Sequence, residues 1–166
     1  MATSGPFLPR QILRRLFDAG VKFLVIGGIA AQYHGASLLT FDLDICYARD
    51  QANLDVLANV LRGMGARLRG APEGLPFRLD AEALRNGDSF TFATDLGDFD
   101  ILGTPAGGFD YDTLIRSAVE FEVGGATVMI ASLDDLIAMK RAAGRLKDRL
   151  AMEHLGALRE ELDRRG

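Results

Sequence analysis

The sequence predicts an α/β (α+β) fold, a mixed twisted sheet with helices packed on it and a helical segment at the C-terminal end. Three observations predict it. Short apolar runs of strand length are intermixed with longer stretches whose apolar residues recur every three to four positions. Tight connections around Asp95–Gly97 and at Gly124-Gly125 join neighbouring strands into hairpins. Beyond Ser132 only helical periodicity remains, interrupted at Gly144.

The elements follow in order. Residues 8–19 form an amphipathic helix, with Pro9 in its first turn, Ile12, Leu13, Leu16 and Phe17 on one face, and Gly20 as its stop. Residues 21–26 are a short buried strand, and residues 28–34 a short helix ending at Gly35. Residues 41–47 form a second strand, with Phe41, Leu43 and Ile45 on the face opposite Asp42 and Asp44. Asp50 caps a helix over 51–63 that turns Leu54, Leu57, Ala58 and Leu61 inward, and Gly63 and Gly65 end it. A strand near 66–69 precedes a loop over 70–79, where two prolines and two glycines stand, and Asp80 caps a short helix to Leu84. Strands near 88–94 and 97–103, a helix over 111–117 capped by Asp110, and strands 119–123 and 126–130 complete the sheet. Ser132 opens a helix through Lys140 to about Ala143 as a capping box with Asp135, and a last helix covers roughly 147–164. The expected organisation is one domain over 1–166, with the helices from about 132 to 166 as an appendage.

Composition narrows the function classes. The apolar fraction of 48% supports a core, and the net charge of −4 does not suggest nucleic-acid binding; no basic patch with interleaved aromatics occurs. The charge is uneven: residues 41–135 hold 17 acidic and 7 basic residues, whereas residues 140–166 hold 8 basic and 5 acidic. An acidic centre beside a basic segment suits a cation site flanked by phosphate-binding groups. Cys46 is the only cysteine, which excludes an intrachain disulfide and agrees with a reducing cytoplasm. No signal peptide is expected, and no apolar run approaches the ~20 residues of a membrane span. The inventory lacks a Cys/His zinc set, a Walker pattern, G-x-G-x-x-G and G-x-S-x-G.

Two short motifs carry the chemistry. Asp42 and Asp44 alternate with Leu43, so both project from one face of a strand, ~6.6 Å apart along it. Like charges that close repel unless a cation neutralises them, and Mg²⁺ prefers oxygen ligands from one or two carboxylates plus phosphates. A third carboxylate on a neighbouring strand would complete the set: Asp100 is the best placed, and Asp98, of the same parity, is the reserve. Gly27-Gly28 follows the apolar run Phe23–Ile26 and opens a helix, which brings free N–H groups toward an anion. Taken singly, each motif also fits a plainer role, a polar strand face or a tight turn. Cys46 reads as a packed residue, His34 as a helix C-cap, His154 as a surface or partner-facing residue, and Arg141 as a helix-end cation.

Strand–Gly-Gly–helix–strand–Asp-x-Asp, with fourteen positions from Gly28 to Asp42, resembles the signature of the nucleotidyltransferase superfamily with its polymerase-β-like fold. Ala30-Ala31, His34-Gly35, Thr40-x-Asp-x-Asp and the run from Ser132 to Asp148 resemble the small bacterial members related to the abortive-infection and toxin–antitoxin group, over roughly residues 20–155. The resemblance implies Mg²⁺- or Mn²⁺-dependent transfer of a nucleoside monophosphate from an NTP such as ATP to an acceptor hydroxyl of RNA, a protein or a small molecule. Asp42, Asp44 and Asp100 would be the catalytic metal ligands. Gly27, Gly28, Thr40, Lys140, Arg145 and Lys147 would serve the nucleotide. A cognate toxin or antitoxin is the partner it suggests. Independently of the resemblance, an apolar stripe on the last helix through Leu146, Leu150, His154, Ala157 and Leu158 suits packing on the core or on a second subunit, as in a homodimer. Leu38 stands where relatives often carry a basic residue, and Ala151 where they tend to carry an acidic one. These departures admit an alternative, a catalytically silent nucleotide- or partner-binding module of antitoxin type.

Overall fold

The computed structural model describes residues 4–72, 74–144 and 146–165, and over 146–154 the backbone alone. The helices are α1 (Pro9–Ala19), α2 (Gly27–Tyr33), α3 (Gln51–Gly63), α4 (Ala81–Asn86), α5 (Tyr111–Ile115), α6 (Leu133–Ala143) and α7 (Leu146–Arg165). The strands are β1 (Phe23–Ile26), β2 (Asp42–Tyr47), β3 (Arg67–Leu68), β4 (Ser89–Thr94), β5 (Gly97–Leu102), β6 (Val119–Val123) and β7 (Ala126–Ile130). They form one sheet in the order β3-β4-β5-β2-β1-β7-β6. Pairing is antiparallel except for β1 with β7 and β2 with β5. The mixed α/β architecture the sequence predicts is therefore the one present.

Local chemistry sets the element ends. Asp50, Asp80, Asp110 and Ser132 each accept a bond from a backbone N–H three residues on, satisfying a donor that the first helical turn leaves open. Asp110 and Thr113 form a reciprocal capping box. Asp135 does not complete the expected box with Ser132; its carboxylate accepts instead from Ser117 Oγ at 2.6 Å. Gly124 and Gly125 have φ of 56° and 83°, the pair of left-handed residues that a two-residue hairpin with native strand twist requires.

Register divides the sheet into two faces. Asp42 pairs with Asp98 and Asp44 with Asp100, while Leu43 pairs with Phe99 and Ile45 with Ile101. One face is thus an apolar layer in which Leu43, Ile45, Phe92, Phe99 and Ile101 are fully buried. The other carries the carboxylates in its centre. The inward set predicted for α3 is buried as expected, as are Ile12, Leu13 and Leu16 of α1. Helix α1 packs on β6, β7 and α3; α2 packs on β1, β2 and α6; α7 packs on α6.

Four expectations need correction. Phe41 is not on the inner face of β2: the strand starts at Asp42, and Phe41, one residue short of the paired ladder, is 68% exposed. Phe17 closes the apolar stripe of α1 in sequence but stands at its rim, 41% exposed. Helix α4 continues past Leu84 to Asn86. On α7, Ala157 is exposed, and the buried contact is Leu155. Among the described residues no helix is long and apolar enough to cross a membrane.

Candidate active site

The three carboxylates predicted from separate stretches meet. One oxygen from each of Asp42, Asp44 and Asp100 lies within 4.8 Å of the others. The cause is the parallel β2–β5 ladder, which sets Asp44 directly beside Asp100 on the same face. Asp98, the reserve choice, is outside the trio; its carboxylate accepts from Ser4 Oγ and lies 3.6 Å from Arg69 Nη1. Burial, then the charges of Asp42 and Asp100, push the Asp44 carboxyl up to about 8, with Lys140 pulling the other way. Burial also raises Asp100, against the hydrogen bond and charge of Arg69.

The donor set fits a hard divalent cation. All three ligating atoms are carboxylate oxygens. Asp100 Oδ1 is buried and, among the described residues, makes no aligned hydrogen bond. Its 2.9 Å approach to Arg69 Nη1 is a charge contact rather than an aligned bond.

The turn before α2 fits round this trio. Gly27 has φ of 71°, and a Cβ there would collide with Asp44 Oδ2, so only glycine lets the backbone pass so close to the carboxylate. A Cβ on Gly28 would come within 3.0 Å of Thr40. Ile26 N-caps α2 without a side-chain bond, so among the described residues no capping side chain takes the first N–H groups of the helix. Thr40 Oγ1 donates to Asp42 at 3.2 Å, fixing that side chain. Gly27, Gly28, Thr40, the trio and Lys140 all line one open cleft of about 910 Å³, together with Leu38, Leu39 and Phe41. Arg145 and the Lys147 and His154 side chains lie outside the described residues. His34 ends α2 as expected, and its ring also bonds the Ala131 carbonyl at 2.8 Å. Cys46 is fully buried, as a packed residue should be.

Sequence reasoning missed Arg69. It follows β3 and bonds Thr91 of β4, which pairs with Asp100 of β5. The signal was a cation at the end of a predicted strand that also holds Arg67; its partners appear only once β3, β4 and β5 are paired.

No protein-family model matches the sequence, and no curated protein matches it. Solved structures do resemble the fold. The Thermotoga maritima protein TM1012, assigned as a nucleotidyltransferase, superposes with a TM-score of 0.56 at 17% identity over 94% of this chain and 91% of its own. The lincosamide antibiotic adenylyltransferase LnuA, bound to lincomycin, gives 0.60 at 13% identity over 93% and 99%. ANT(2")-Ia, in complex with adenylyl-2"-tobramycin, gives 0.55 at 14% identity over 95% of both chains. The chain has the fold of these nucleotidyltransferases, including the C-terminal helical segment.

Proposed function

We propose that this protein transfers a nucleoside monophosphate from an NTP to a hydroxyl of a small-molecule acceptor. An acceptor O–P bond forms at the α-phosphorus, the bond to the β-phosphate oxygen breaks, pyrophosphate leaves, and the hydroxyl proton passes to solvent. The observation that carries the reading is the convergence of Asp42, Asp44 and Asp100 beside the Gly27-Gly28 turn.

Asp42, Asp44 and Asp100 would hold Mg²⁺ or Mn²⁺, which when bound offsets phosphate charge and makes the acceptor oxygen a better nucleophile. The remaining work falls to the chain. Thr40 orients Asp42. The N–H groups at the start of α2 face no capping side chain and suit phosphate oxygens. Lys140 lines the same cleft and adds a cation for the triphosphate, a task Arg145 and Lys147 would share. Leu39 and Phe41, 83% and 68% exposed at the cleft, offer an apolar seat for the body of an acceptor.

The small molecules in two similar structures, lincomycin and an adenylylated tobramycin, favour a small acceptor over RNA or protein. The net charge of −4 also disfavours RNA. A silent module that only binds a partner would leave the convergent trio without a use.

The test is transfer of label from α-labelled NTPs, with Mg²⁺, to a panel of hydroxylic small molecules and to total RNA. Label on a small molecule is expected. Asp42→Ala and Asp44→Ala should each lower the rate roughly a hundredfold or more, the loss of several kcal/mol of transition-state stabilisation. Transfer undiminished in Asp44→Ala would overturn the reading.

A further inference from the structure

We propose that Arg69 is a countercation built into the carboxylate trio: its guanidinium holds Asp100 in place and competes with a divalent cation for the same oxygens, so the nucleotide-free protein takes up that cation weakly. The inference rests on the trio being the cation site.

The sheet places Arg69 where it must act. Its N–H bonds the Thr91 carbonyl at 2.9 Å, Thr91 pairs with Asp100, and Asp100 pairs with Asp44, so Arg69, just past the end of β3, extends the rung that crosses β4, β5 and β2. Arg69 Nη2 donates to Asp100 Oδ2 at 3.2 Å while Nη1 stands 2.9 Å from Oδ1. One carboxylate oxygen accepts a hydrogen bond from the guanidinium and the other stands in charge contact with it, so both face the same planar cation.

The side chains of Arg69 and Asp100 are 30% and 13% exposed, so water screens the pair incompletely. A cation that used Asp100 would have to share or displace that contact. Asp98 gives the guanidinium a second seat: its Oδ2 is 3.6 Å from Nη1, and Ser4 anchors the carboxylate from the far side. Arg69 can thus yield Asp100 and still keep an anionic partner.

The experiment is Mn²⁺ titration without NTP, read by the paramagnetic signal of the free ion, on the full chain and its Arg69→Gln, Arg69→Lys and Asp44→Asn variants. Circular dichroism checks the fold. Arg69→Gln should bind Mn²⁺ about tenfold or more tightly than the parent, as removing a unit charge at this range demands, with Arg69→Lys between them. If Arg69→Gln does not fold, tighter binding in Arg69→Lys carries the result. Equal or weaker affinity in the Arg69 variants, with binding still lost in Asp44→Asn, overturns the role of Arg69 and leaves the cation site standing. Binding absent from every protein, or indifferent to Asp44→Asn, overturns the cation site and this inference together.

Discussion

Asp44 sits where a carboxylate is least at ease, beneath the Gly27 turn and between two others of its kind. Burial first, then the charges of Asp42 and Asp100, raise it to about 8 from an ordinary 3.8, with Lys140 opposing the rise. The folded chain thus keeps a proton that the unfolded chain releases near pH 4. Asp44 therefore costs no stability below its unfolded value, and its cost grows as pH climbs from about 4 toward about 8. In chelator, Asp44→Asn should match the parent in melting temperature at about pH 4 and exceed it increasingly up to about pH 8. Thermal melts across that range check it, and a constant difference would refute it. At this scale the sequence was informative where spacing is local. Asp42 and Asp44 share a face because strands alternate, and Gly27-Gly28 announces a turn by its composition. Arg69 was silent because nothing within a few residues of it reveals Asp100, thirty-one positions away.

Elements show the same division between near and far. Helix α3 was legible to its ends: Asp50 caps it, and Leu54, Leu57, Ala58 and Leu61 turn inward at helical spacing. Asn53, in its first turn, reads in sequence as an ordinary polar residue. In the structure it is 3% exposed. Its amide donates to the Lys22 and Ala48 carbonyls at 3.0 and 2.7 Å and accepts from the Lys22 N–H at 2.7 Å. One side chain so fastens α3 to the approach of β1 and the exit of β2, the strand that carries Asp42 and Asp44. Asn53→Ala leaves the Lys22 N–H and the Ala48 carbonyl without their partner, while the Lys22 carbonyl keeps the Ala48 N–H, and should cost about 2–3 kcal/mol, measurable by urea unfolding. A change below about 0.5 kcal/mol would show that water replaces the amide without loss.

For the whole molecule, the strand order was the part sequence could not give. Hairpins announce themselves through Gly124-Gly125 or Asp95–Gly97, but the parallel partnerships of β2 with β5 and β1 with β7 are closures over long stretches of chain. The relation of α7 to the rest is a matter for the same scale. Leu155 is 1% exposed within the main core, and Arg159 pairs with Asp134 of α6. We expect α7 to melt with the sheet: Leu155→Ala should lower stability by about 2–4 kcal/mol in a single calorimetric transition. A separate early transition would mark the helix as an independent unit.

The carboxylates stand on β2 and β5, strands that each have neighbours on both sides. The spacing of Asp44 and Asp100 is therefore inherited from the hydrogen-bond ladder, which every sheet holds near 4.8 Å between strands. Mutation in the surrounding loops can change which molecules enter, but it has no purchase on the gauge of the gap itself. Descendants of this chain would diversify by redecorating the rim at Leu39 and Phe41, while the spacing between Asp44 and Asp100 stays as fixed as the weave that sets it.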